Sequence, residues 1–261
     1  MEGHVDSAGA RIAYTIEGPA TGPALLFINS IATTRELWSR QVPACSASCR
    51  VITYDARGHG QSSAPTGDYT IAQLGRDALA ILDHAGAAAA HVCGISLGGL
   101  TAMWMGVHAP HRVRSLVLAN TSARIGTVQS WTERMAFVQE RGMAALAELT
   151  MPRWFTDAFR MREPQTIERF KRMIESCPQH GYLGCCAALR DEDLREAIAA
   201  IRCPTLAIAG RTDVATPVEA LKFVHDRIAG SQMITLDAAH LTNVEQAQKF
   251  TSALIEFLNT P

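Results

Sequence analysis

The chain has no basic start followed by an apolar run. Met1-Glu2-Gly3-His4-Val5-Asp6 is poor material for a secretory signal, and no later apolar run reaches membrane-spanning length. A cytoplasmic location with no membrane association is therefore the expectation. An excess of charge of one sign is also missing: 24 Lys plus Arg against 25 Asp plus Glu leave a formal net charge of -1, so nucleic acid or another polyanion finds no general attraction. Cysteines do not come in an even set. Seven of them, without an export signal, argue against a disulfide framework and for reduced thiols. No His or Cys cluster completes a four-ligand zinc pattern around Cys45 and Cys49 or around Cys185 and Cys186, so no metal is expected. Internal repeats and low-complexity linkers are absent too.

What is present is an ordinary globular composition, 48% hydrophobic and 19% charged over 261 residues, long enough to bury roughly 70 to 75% of the unfolded surface. Short runs rich in Val, Ile and Leu read as strands: Ala10 to Ile16, Ala24 to Asn29, Val51 to Tyr54, Ala90 to Ile95, Val113 to Ala119, Thr205 to Ala209 and Gln232 to Leu236. Helical segments alternate with them. Tyr69 to Leu82 places Ile71, Leu74, Ala78 and Leu82 at helical spacing behind Thr70 as N-cap, and Leu97 to Val107, Glu219 to Ile228 and Val244 to Leu258 follow the same rhythm. This alternation predicts an α/β fold with a mostly parallel sheet flanked by helices.

The alternation breaks once, after Thr121, where the chain is amphipathic and helical until Pro204-Thr205-Leu206 resumes the sheet. The expected organisation is a core of residues 1–121 and 202–261 and a helical cap over 122–201. An insertion at that point is suited to lie over the strand ends as a lid. Oligomeric state is left open.

The most informative residues are Gly94-Ile95-Ser96-Leu97-Gly98-Gly99, a G-x-S-x-G sequence that leaves a predicted strand and opens a predicted helix. A sharp strand-to-helix turn exposes the central hydroxyl, and the glycines leave room for neighbouring backbone. The helix N-terminus behind it favours developing negative charge. Ser96 is thus the candidate nucleophile. Serine needs a base, and of nine histidines His240 follows the last predicted strand, in Leu236-Asp237-Ala238-Ala239-His240. Asp213, on the loop after Thr205 to Ala209, is the candidate acid that orients His240, with Asp237 as the alternative. The backbone N–H groups of Leu97 and of Ile31, in the loop after the Ala24 to Asn29 strand, are the candidate oxyanion donors.

Asp55-Ala56-Arg57-Gly58-His59-Gly60-Gln61-Ser62 gathers polar groups but reads as a structural turn, in which Asp55 and Arg57 could pin the loop by a local ion pair.

These segments resemble the α/β-hydrolase fold, and within it the 3-oxoadipate enol-lactonases of aromatic catabolism. The resemblance covers nearly the whole chain. It rests on Cys93 to Thr101, Leu118 to Thr127, Arg153-Trp154-Phe155-Thr156, Cys185 to Asp191 and Asp237 to Glu245, so it reaches into the cap segment. The resemblance implies hydrolytic opening of a small carboxylated enol-lactone to 3-oxoadipate through an acyl-enzyme, without a cofactor. A substrate carboxylate calls for a cation or an indole N–H, and Trp131, Arg134, Arg153 and Trp154 are the candidates. The chain departs from the family pattern at Ile31-Ala32 and at Arg211, both expected near the pocket. A carboxylesterase or C–C bond hydrolase of the same fold shares this machinery and differs only in the pocket. A ligand-binding receptor on the same scaffold would not need the complete Ser, Asp, His set.

Overall fold

The computed structural model describes residues 1–259. Its centre is an eight-stranded sheet: β1 (Glu2–Ser7), β2 (Ala10–Glu17), β3 (Ala24–Ile28), β4 (Arg50–Tyr54), β5 (Ala90–Ile95), β6 (Val113–Ala119), β7 (Thr205–Gly210) and β8 (Gln232–Leu236). The spatial order is β1-β2-β4-β3-β5-β6-β7-β8. From β4 to β8 the pairings are parallel, whereas β1 and β2 join antiparallel at one edge. The central parallel strands β3, β5 and β7 are buried along most of their length, as required where helices cover both faces. The mostly parallel α/β fold expected from the sequence is present. The strand missed is β1, whose exposed Glu2, His4 and Asp6 hide an edge strand behind polar residues.

The helices are α1 (Val42–Cys45), α2 (Ile71–His84), α3 (Leu97–His108), α4 (Val128–Trp154), α5 (Asp157–Arg162), α6 (Pro164–Glu175), α7 (Gln179–Asp191), α8 (Val218–Arg227), α9 (Thr242–Glu245) and α10 (Ala247–Leu258). Thr70 caps α2 as expected: its hydroxyl accepts from Gln73 N–H, and Gln73 returns a bond to the Thr70 amide. The last helix differs from the reading, since Gln246 (φ -119, ψ 44) divides the 244–258 segment into α9 and α10. Between β6 and β7 stand α4 to α7 and no strand. Helix α4 is broken at Gly142 (φ 76, ψ 179), a backbone conformation that favours glycine, so its two halves point differently.

Loops at the carboxyl ends of the parallel strands are anchored from within the core. Trp38 is fully buried, stacks on Phe27 with centroids 4.4 Å apart, and donates its N–H to Asn29 Oδ1 at 2.9 Å. Asn29 Nδ2 in turn donates to Tyr54 O at 2.6 Å. Burial of an aromatic of this size contributes about 3 kcal/mol, and here it also fixes the root of the loop after β3. The seven cysteines are free thiols. Among the described residues no helix is long and apolar enough to cross a membrane, and no group of His, Cys, Asp and Glu could hold a metal ion.

Candidate active site

Parallel strands end on the same edge of the sheet, so residues far apart in sequence meet there. Ser96 follows β5, Asn120 follows β6, Asp213 stands three residues past β7 and His240 four past β8. Ser96 has φ 57 and ψ -119, a strained conformation for a residue with a side chain. It persists because its N–H is held by Ala119 O at 3.0 Å and its carbonyl by Thr121 Oγ1 at 2.8 Å. Glycine is required at 98, where a Cβ would collide with the Ile28 carbonyl. That close approach brings the start of α3 against the end of β3 and the loop that follows it. Leu97 is the first residue of α3, where N–H groups lack intrahelical acceptors. Ile31 N–H has no acceptor among the described residues.

His240 is 2% exposed, and its Nδ1 lies 2.8 Å from Asp213 Oδ2. An ionised carboxylate can only accept, so Nδ1 carries the proton and Nε2 is left as the basic nitrogen. Burial alone would raise the Asp213 pKa. The charge and hydrogen bond of His240, with bonds from Thr216 and Asn120, outweigh it and hold the carboxyl well below the usual range. The full set of donors is His240 Nδ1, Asn120 Nδ2 (2.9 Å), Thr216 Oγ1 (2.7 Å), and the amides of Ala215 (2.8 Å) and Thr216 (3.0 Å). Ser96 Oγ makes no hydrogen bond among the described residues, and contacts of this kind commonly tighten only with substrate bound. Ser96 and His240 line one cavity of about 150 Å³. Asp237, the alternative acid, is exposed and pairs with Arg211 instead.

Three residues escaped the sequence reading. Asn120 (φ 43) donates to Asp213 Oδ2 and to Ala239 O at 3.1 Å and accepts from Thr242 Oγ1 at 2.6 Å, so one buried amide ties the acid to the histidine loop. Its only sequence signal is its place at a strand end. Thr216 lies three residues after Asp213, a spacing that lets a side chain and an amide both reach back. Glu245 accepts from Ala239 N–H and Thr156 N–H, each at 3.2 Å, and from the Thr156 hydroxyl, joining the His240 loop to the end of α4.

The cavity is further lined by Trp131, Arg134, Leu146, Thr150, Arg153 and Trp154 of α4, by Tyr182 of α7, and by Ile31 and Ala32 of the loop after β3. All four candidates for the substrate carboxylate are therefore at the cavity, but one of them cannot donate. The Trp131 indole N–H is committed to Ile125 O at 2.6 Å. Trp154 lies beside His240, the rings 6.5 Å apart and inclined by 28°. Neither Arg134 nor Arg153 forms an ion pair with a carboxylate among the described residues. Desolvation and then the like charge of Arg134 lower the Arg153 pKa. Arg211 faces solvent and does not reach the cavity, which corrects its expected position.

The expected Asp55–Arg57 ion pair is also corrected. Arg57 instead forms a buried two-bond pair with Asp77, both contacts 2.7 Å, while Asp55 accepts from Arg35 N–H at 2.8 Å and Gln61 N–H at 3.0 Å. The partner is on α2, a match invisible to local spacing.

A model of the alpha/beta hydrolase fold matches residues 23–247, and the chain belongs to that family. Within it, the chain is 40% identical to 3-oxoadipate enol-lactonase 2 of Acinetobacter baylyi, over 92% of this chain and 90% of that one. It is 38% identical to 3-oxoadipate enol-lactonase 1 of the same organism, over 97% and 94%. Among solved structures, the enol-lactonase from Burkholderia xenovorans superposes with a TM-score of 0.97 at 36% identity, covering 99% of this chain and all of that one.

Proposed function

We propose that the chain hydrolyses 3-oxoadipate enol-lactone to 3-oxoadipate, with Ser96 as nucleophile, His240 as general base and acid, and Asp213 as the group that orients His240. The observation that carries this reading is a cavity lined by Ser96 and His240 together with two arginines, Arg134 and Arg153, that form no ion pair with a carboxylate among the described residues. Ser96 Oγ attacks the lactone carbonyl as His240 Nε2 takes its proton. The ring C–O bond then breaks, its electron pair leaving on the enol oxygen, which His240 protonates, and the enol so released tautomerises to the 3-oxo group. The product remains bound as an acyl-enzyme. Water, deprotonated by His240, releases the acid and restores Ser96. The amides of Leu97 and Ile31 stabilise the oxyanion in both steps.

Arg134 and Arg153 are assigned to the substrate carboxylate, with Trp154 N–H as a further donor. Residues 122–201 act as a cap on the core formed by 1–121 and 202–261, closing the cavity over the substrate. Seven free thiols favour a reducing, cytoplasmic setting for the reaction.

The test is hydrolysis of freshly generated enol-lactone beside simple aryl esters, by the purified chain and its Ser96→Ala variant. A kcat/KM for the lactone far above that for the esters, abolished in the variant, is the expected result. Ester turnover with an inert lactone would retain the serine mechanism and assign the protein to another substrate.

A further inference from the structure

His59 takes no part in the chemistry above, yet it is 1% exposed and hydrogen-bonded on both ring nitrogens. Its Nε2 lies 2.9 Å from the Ala32 amide and its Nδ1 3.1 Å from Arg57 O. A backbone amide can only donate and a carbonyl can only accept, so both neighbours select one neutral tautomer, with the proton on Nδ1 and Nε2 bare. Burial lowers the His59 pKa, against smaller opposing effects of the Arg57 carbonyl and Asp55, which favours the same neutral form.

The residue that His59 holds is strained. Ala32 has φ 59, and Ser30 O accepts from Thr33 N–H at 3.3 Å, so Ser30 to Thr33 form a tight turn with a positive φ at its third residue. Glycine suits that position and alanine does not. The strain persists only if the surroundings over-determine it, and within the turn the Ala32 N–H has His59 as its acceptor. Without that bond the peptide linking Ile31 to Ala32 is free to flip to the negative φ that alanine prefers. The Ile31 N–H belongs to the preceding Ser30–Ile31 peptide, so the flip itself would turn the Ile31 carbonyl and, by loosening the turn, let the Ile31 backbone shift where Ile31 and Ala32 line the cavity with Ser96. The rest of the loop is already anchored, by Asn29 to Tyr54 O and by Arg35 N–H to Asp55, so the unfixed point is the turn itself.

We propose that His59 is a positioning residue of the oxyanion hole: its Nε2 holds Ala32 in the left-handed conformation that preserves the Ser30–Thr33 turn, and with it the place of the Ile31 N–H beside Ser96. The inference rests on the serine-hydrolase reading. It gives a reason for conformational strain at Ala32 and a task to the Arg57–Asp77 pair, which fixes the backbone carbonyl that sets the His59 tautomer.

The experiment compares the unaltered chain with His59→Gln, His59→Phe and the double variant His59→Phe/Ala32→Gly. Measured quantities are kcat and KM on the lactone, and Kd for phenylboronic acid, which forms a tetrahedral adduct on serine, and for adipate, which does not. Removing one oxyanion donor costs about a hundred- to a thousandfold in rate, so misaiming one in His59→Phe is expected to lower kcat by about ten- to a hundredfold with KM within about twofold. Boronate affinity falls in step and adipate affinity holds. Gln, whose side-chain oxygen can accept from Ala32 N–H, stays within a few-fold of the starting rate, and glycine at 32 recovers part of the loss in the double variant. Independently of folding in the variants, ¹⁵N NMR of the unaltered chain should show the His59 proton on Nδ1. Equal losses in Gln and Phe, a parallel fall in adipate binding, or a proton on Nε2 would overturn the proposal. An unaltered chain inert to lactone and esters alike would instead remove the hydrolase reading, and this inference with it.

Discussion

The two walls of the cavity are held in different ways. On the sheet side, His240 is fixed by Asp213, and Asp213 by five donors from three loops. On the helical side, Arg134 and Arg153 face the same space with no carboxylate to hold them. Fixed dipoles cost no reorganisation as charge develops, whereas unpaired cations are available to a ligand. The difference teaches a division of labour. In the mechanism proposed above, the sheet wall performs the chemistry on any ester, and the helical wall chooses a carboxylated one.

The largest effect expected from this comparison is on the sheet wall. Ser96→Ala and His240→Ala should each lower kcat by about 10⁶ on lactone and aryl ester alike, with the fold retained by circular dichroism. A residual rate within tenfold of the starting enzyme would remove the assigned roles. Next is Asp213→Asn, which keeps the shape but lets His240 adopt the wrong tautomer, for a loss of about 10⁴ in kcat. A loss below tenfold would move the orienting role elsewhere.

Changes on the helical wall should split the substrates instead. Arg134→Met, at a half-buried position, should raise KM for the lactone by about ten- to a hundredfold and leave a neutral aryl ester within about twofold. Arg153→Met should do the same more weakly, since Arg153 is the more exposed of the two. Equal losses on both substrates would erase the distinction between the walls.

The smallest effect concerns acid stability. The folded-state pKa of Asp213 lies below its unfolded value, so its contribution to stability is complete above the ordinary carboxylate pKa of about 3.9 and is lost as pH falls below it. Urea unfolding of Asp213→Asn should therefore depend less steeply on pH between about 5 and 3 than unfolding of the starting chain. Matching slopes would contradict the depressed pKa.

Sequence reading reached much of the sheet wall and less of what supports it. Ser96, Asp213 and His240 stand at strand ends, and strand ends can be read from local apolar runs and turn residues. Asn120 holds Asp213 across 93 positions, and Arg57 finds Asp77 on a helix rather than Asp55 two residues away. Such pairings depend on which strands become neighbours, and local spacing carries no record of that. The helical wall shows the same limit at finer scale. Trp131 was legible as a residue of the insertion, but the use of its N–H by Ile125 depends on how the chain enters α4. Strand β1 was missed for a different reason: an edge strand needs only one apolar face, and here that face is Gly3, Val5 and Ser7, with Val5 its one large apolar side chain.

The nucleophile is where the account can be tested most directly. A fluorophosphonate probe should label the unaltered chain once, on the peptide that contains Ser96, with no labelling of Ser96→Ala by mass spectrometry. An unlabelled Ser96 in a folded chain, or labelling that persists in the variant, would contradict the serine mechanism.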